Sequence, residues 1–132
     1  MIYVLKISRH EDIKDKILDF VREKDWDKAY ISGALGSVCD VHVVNPQNDK
    51  IPPDLKGEII NGPCEVLSFV GEVMKKEYMS ETMKTVYKDD ENLYFAHIHM
   101  SCSTKNQKVY GGGLRKGRAF LGLKIFIEKI SD

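Results

Sequence analysis

Tyr94-Phe95-Ala96-His97-Ile98-His99-Met100-Ser101-Cys102 decides how the rest of the chain is read. In an extended strand, successive side chains face opposite sides. Tyr94, Ala96, Ile98, Met100 and Cys102 then share a mostly apolar face suited to a core. Phe95, His97, His99 and Ser101 share the other. The two imidazoles fall about 7 Å apart along the strand, and both can reach one metal ion at Zn–N distances of about 2 Å.

Strand character continues on either side. Residues 2–8 and Val66 to Val73 are rich in β-formers, as are Ala29 to Ser32 and Val38 to Val44. Gly33 and Gly36 lie between the last two runs, where a sharp change of direction is expected. One segment has helical spacing instead: Ile13, Ile17, Leu18, Phe20 and Val21 make a stripe over residues 11–23. Ser8 and Glu11 have capping-box spacing ahead of it. Asn45 to Pro63 is broken by proline and glycine, and reads as an ordered connection or a short hairpin. Residues 74–92 are charged and read as an irregular hairpin, with residues 88–92 as its exposed turn.

After the histidine strand, Thr104 to Gln107 suits a turn into Lys108-Val109-Tyr110. Gly111-Gly112-Gly113 follows, and residues 118–130 form a last strand. Its Ala119, Leu121, Leu123, Ile125 and Ile127 share one face, and Phe120 and Phe126 occupy the other. Apolar groups on both faces imply burial on both sides. One helix covers a single face, so the second is expected to lie against another subunit.

The bulk properties exclude several classes. The chain has 132 residues, enough for one domain. Its 20 basic and 20 acidic side chains cancel. A protein that grips DNA by its phosphates usually carries a basic excess. Cys39, Cys64 and Cys102 are odd in number and widely spaced, which speaks against a disulfide scaffold or zinc ribbon. No apolar run approaches the roughly 20 residues of a membrane helix. A cytoplasmic protein without a signal peptide is the expectation.

Gly33-Ala34-Leu35-Gly36-Ser37-Val38, Glu65-Val66-Leu67-Ser68-Phe69-Val70-Gly71, His97-Ile98-His99 and Gly111-Gly112-Gly113-Leu114 occur in that order across the chain. Together they resemble the plant and prokaryote conserved (PPC) domain. The resemblance covers nearly all of the sequence. It implies an α+β fold: a single domain over residues 1–132, with a mixed, mainly antiparallel sheet and one principal helix. It also implies a homotrimer. Prokaryotic members are labelled predicted DNA-binding proteins. In plant members the domain follows an AT-hook and mediates association with itself and with partners. No AT-hook is present here, since Arg115-Lys116-Gly117-Arg118 lacks the Arg-Gly-Arg-Pro core. Many prokaryotic relatives have Gly-Gly-His-Leu where this chain has Gly-Gly-Gly-Leu, and that third histidine joins the His-x-His pair as a metal ligand. Here the position is Gly113, so His97 and His99 supply half of a tetrahedral zinc shell. Water, a carboxylate such as Glu72, or a neighbouring subunit is left to complete it.

The functional candidates are therefore few. His97 and His99 read as ligands for Zn2+ or another divalent metal, as a polar interface lining, or as proton-transfer groups. Gly111, Gly112 and Gly113 suit either close approach of a bound ligand or a tight strand crossing. Arg115, Lys116 and Arg118 are the nucleic-acid candidates, with a solvated turn as the plainer reading. Cys102 falls on the core face and His42 reads as structural. The expected role is binding rather than catalysis. The partners are other copies of the chain and DNA or a DNA-associated regulatory protein. The rival is a metal or small-ligand site between subunits, enzymatic in one version.

Overall fold

The computed structural model describes residues 1–86 and 92–131. Six strands dominate it: β1 (Tyr3–Ser8), β2 (Lys28–Pro46), β3 (Leu55–Ile60), β4 (Cys64–Lys75), β5 (Tyr94–Ser103) and β6 (Val109–Lys129). Their order in the sheet is β1-β6-β5-β4-β2-β3, and β6 also pairs with β2. That extra pairing closes β2, β4, β5 and β6 into a ring. β1 and β3 extend it, β1 along the far half of β6 and β3 along the end of β2. Every pairing between these strands is antiparallel, so the mixed, mainly antiparallel sheet that the resemblance implies is not found. Short links join β2 to β3 and β5 to β6 in sequence and in space, which antiparallel pairing permits.

Closure changes where the core lies. A sheet that curls onto itself buries one face of every ring strand without help from another layer. Phe69 and Val73 of β4 meet Ala96, Ile98, Met100 and Cys102 of β5 there. Ile125 and Ile127 of β6 join them, fully buried. The helix α1 (Ile13–Glu23) packs on β1, β5 and β6 through Ile13, Ile17, Leu18 and Val21. Its N-cap is Asp12, whose side chain accepts from the Asp15 N–H at 2.9 Å. Glu11 Oε1 instead accepts from the Ser8 N–H at 2.8 Å, so the capping-box pair seen in the sequence sits one step ahead of the helix. Phe20 and Tyr3 stack edge-on around Trp26, whose carbonyl accepts from the Tyr94 hydroxyl at 2.8 Å.

Several expectations are corrected. The two runs around Gly33 and Gly36 are one strand of 19 residues, bent by bulges rather than broken. Gly36 has φ 140°, and a Cβ there would come within 2.2 Å of the Gly122 carbonyl, so the glycine permits close β2–β6 contact. The triple glycine and residues 118–129 likewise belong to one strand, β6, and Ile130 lies just past its end. Leu121 does not share the buried face of Ala119 and Leu123, and is 69% exposed. The β2–β6 register slips between Ser37↔Gly122 and Val38↔Ala119, leaving Phe120 and Leu121 as extra residues. Residues 76–86 form no hairpin. They make a 3-10 turn (Lys76–Tyr78) and a short helix, α2 (Glu81–Val86). The turn expected at residues 88–92 falls outside the described residues except for Asn92, which accepts from the Arg22 guanidinium. No helix among the described residues is long and apolar enough to cross a membrane.

Candidate functional site

The outward face of β5 carries the histidines, as its alternation predicts. His97 is half-buried and His99 exposed, while Ala96, Ile98 and Met100 point into the core. Phe95 departs from the pattern and is buried as well. Strand pairing assembles the neighbours. Val70 lies across from His99 and Glu72 across from His97 on β4. On β6, Gly113 lies across from His99. Directly paired residues in antiparallel strands present their side chains to the same face.

The imidazoles converge. His97 Nε2 and His99 Nε2 are 3.2 Å apart, with ring centroids 4.9 Å apart and planes at 84°. Two Zn–N bonds of 2.0–2.1 Å spanning that gap would subtend roughly 100–105°, close to tetrahedral. The same separation serves one N–H···N hydrogen bond between neutral rings. The His97 pKa is held below the usual histidine range, first by burial and then by the charge of His99. Arg115 and Lys14 push the same way and Glu72 opposes them. The neutral ring is the form that binds metal.

A third protein ligand is not in place. No group of three or more His, Cys, Asp or Glu among the described residues gathers around one point. The three-imidazole arrangement therefore does not fit this chain, whereas a two-imidazole chelate does. Its remaining positions would fall to solvent, a bound molecule or another subunit.

The pair opens onto a cavity of about 350 Å3. Gly112, Gly113 and Arg115 line it from β6, and Val44 and Asn45 from β2. Pro53, Leu55 and Met83 close it from the β2–β3 connection, β3 and α2. Sequence reasoning missed Asn45, Ser68 and Val70. The strand register would have found Val70, since it faces His99.

The glycine run has a packing cause. A Cβ at Gly111 would come within 2.7 Å of the Met100 carbonyl, and one at Gly112 within 2.6 Å of the Asn45 amide. Asn45 Nδ2 donates to the Gly111 carbonyl at 2.9 Å. The run is thus a tight crossing that also forms part of the cavity wall.

The basic candidates do not form one patch. Arg115 faces the cavity. Lys116 lies across from His42 on β2. Arg118 Nε donates to Asp40 Oδ2 at 3.0 Å, and its ion pair with Asp40 holds that carboxyl below the usual range. All three cysteines are free, and Cys64 and Cys102 are buried. Cys102 is thus in the core, as its place on β5 predicts.

Solved structures share this fold. A PPC protein from Pyrococcus horikoshii superposes with a TM-score of 0.78 at 19% identity, over 100% of this chain and 80% of its own. A metal-containing protein from Archaeoglobus fulgidus gives 0.75 at 23%, over 99% and 80%. A candidate DNA-binding protein from Bacteroides thetaiotaomicron gives 0.76 at 14%, again over 99% and 80%. No functionally curated protein matches the sequence. The family model of the Plants and Prokaryotes Conserved (PCC) domain, the PPC domain of the sequence reading, matches residues 1–131, and the chain belongs to that family.

Proposed function

We propose that this domain is a binding module whose ligand is one divalent cation, Zn2+ first among them, held by His97 and His99. The observation that carries the reading is the 3.2 Å gap between the two Nε2 atoms. It matches the bite of two imidazoles on one tetrahedral ion. The lowered pKa of His97 keeps that ring in its ligand form near neutral pH. The Archaeoglobus relative is described as metal-containing, which agrees with the reading. With two protein ligands rather than three, the affinity is modest and the role is binding, not catalysis. Equilibrium dialysis against Zn2+ tests it. The wild type takes up one ion per chain, and the His97→Ala/His99→Ala variant takes up none at the same free concentration. Equal uptake by both would end the reading.

The module assembles with itself in this proposal, as a cytoplasmic homotrimer. Leu35 and Leu121 are 64% and 69% exposed and flank a groove of about 560 Å3. Exposed apolar surface of this kind favours contact with another chain. Sedimentation equilibrium at micromolar concentration gives three times the chain mass. A single-chain mass would refute the assembly.

Association with DNA or a DNA-linked regulatory partner is the second reading. It is favoured by the description of the Bacteroides relative. The charge balance is zero and Arg118 is committed to Asp40, so direct phosphate contact would rest on Arg115 and Lys116. A salt titration of DNA binding decides. The absence of salt-dependent binding near physiological ionic strength rejects direct contact.

A further inference from the structure

We infer that the cavity beside the two imidazoles binds a small organic carboxylate with an apolar body, its head on the His97/His99 ion and Arg115 and its body against Val44, Leu55 and Val70. The inference deepens the metal-site reading and rests on it for one of the two anchors.

The head group follows from the polar lining. An ion held by two imidazoles keeps two positions of a tetrahedral shell for other ligands. Arg115 lines the same cavity. A guanidinium presents two parallel N–H groups that match the two oxygens of a carboxylate. A carboxylate thus meets the ion with one oxygen and Arg115 with the other. Ser68 Oγ, 2.7 Å from Ser101 Oγ, adds a neutral hydroxyl rather than a competing anion. Glu72 faces His97 across the strand but does not line the cavity.

The body follows from the rest of the wall. Val44, Leu55 and Val70 supply apolar wall to the same cavity. Val70 and Leu55 are 42% and 43% exposed. An aliphatic or aromatic body would cover them and gain the transfer free energy of each buried methylene. A volume of about 350 Å3 is at the small end of ligand sites, which suits a metabolite-sized acid.

Hexanoate is the probe, with acetate, hexanol and inorganic phosphate as comparators. Binding is read from amide shifts in 15N-labelled protein, loaded with Zn2+ or stripped with EDTA. Hexanoate is expected to shift amides at Val70, His99 and Gly113. Acetate and hexanol should bind about tenfold more weakly or worse, since each lacks one half of the match. Arg115→Leu should cost about tenfold, the loss of one charge-assisted pair. Val70→Glu, at an exposed strand position, should abolish binding by placing an anion in the path of the body. Equal binding of phosphate or hexanol, no effect of either substitution, or no shift with hexanoate on zinc-loaded protein would overturn the inference. Zinc uptake by the wild type separates the two claims. Uptake without hexanoate binding refutes the carboxylate alone. Hexanoate binding that needs Arg115 but not zinc supports the carboxylate and removes the ion.

Discussion

Replacing Gly113 with histidine should restore a three-imidazole site and tighten zinc binding. Gly113 lies across from His99, so a side chain there leaves the sheet on the face of both histidines. An added Cβ would meet the Val44 carbonyl at 3.3 Å, and the backbone there has to yield by a few tenths of an ångström. Four-ligand zinc sites in small peptides bind with about 10–16 kcal/mol, or about 3 kcal/mol per ligand. Ordering a new side chain and easing the contact with Val44 together cost about 1 kcal/mol. The net gain is about 2 kcal/mol, or about 30-fold in affinity. Competition against a chromophoric zinc chelator measures it, with circular dichroism to confirm the fold. A folded Gly113→His variant whose zinc affinity is unchanged would refute the reasoning, because the three positions would then not face one ion.

Other consequences are simpler to read. Phe69 is fully buried in the ring, so Phe69→Ala should cost about 3–5 kcal/mol in urea unfolding; a loss below about 1 kcal/mol would place the core elsewhere. A Cβ at Gly71 would come within 2.4 Å of the His97 carbonyl, so Gly71→Ala should part β4 from β5, lower stability by about 1–3 kcal/mol and weaken zinc binding with it. Glu11, Asp27 and Asp40 are held below the usual carboxylate range, first by hydrogen bonds from Lys16, Lys75 and Arg118. Their folded pKa values are depressed, so this stabilisation is present above the ordinary carboxylate range and is lost as pH falls through the folded values. Melting temperature should therefore fall on acidification below that range, and less steeply in Asp40→Asn; identical slopes would disconnect the Asp40–Arg118 pair from acid stability.

The alternation of β5 was legible at every residue but Phe95, because a period of two reports faces directly. Tyr94, Ala96, Ile98, Met100 and Cys102 are buried, with His97 and His99 on the other side. The stripe of α1 was legible from its 3.6-residue period, although the helix starts at Ile13 rather than residue 11 and is capped by Asp12 rather than Ser8. Closure of the sheet was not. Alternation says that a face is covered, not whether the cover is a second layer or the same sheet returning through β2 and β6. Bulges were also hidden. Two extra residues at Phe120 and Leu121 reverse the pattern locally, and the sequence gives no count of ladder pairs from which to see it. Gly36 misled in the other direction, since it marks a close strand contact rather than a turn. At the site, the spacing of His97 and His99 allowed a shared ligand, but the approach of their Nε2 atoms depends on rotamers that no spacing encodes. Arg115 looked like part of a basic run with Arg118. The strand separates them, sending Arg115 to the cavity and Arg118 to Asp40.

Anomalous diffraction at the zinc edge, from crystals of protein dialysed against Zn2+, bears most directly on the two-imidazole centre. One strong peak per chain, about 2.0–2.1 Å from the Nε2 atoms of both His97 and His99, is the expected result. Rings still in contact with each other, with no peak between them or with zinc bound elsewhere on the chain, would contradict it.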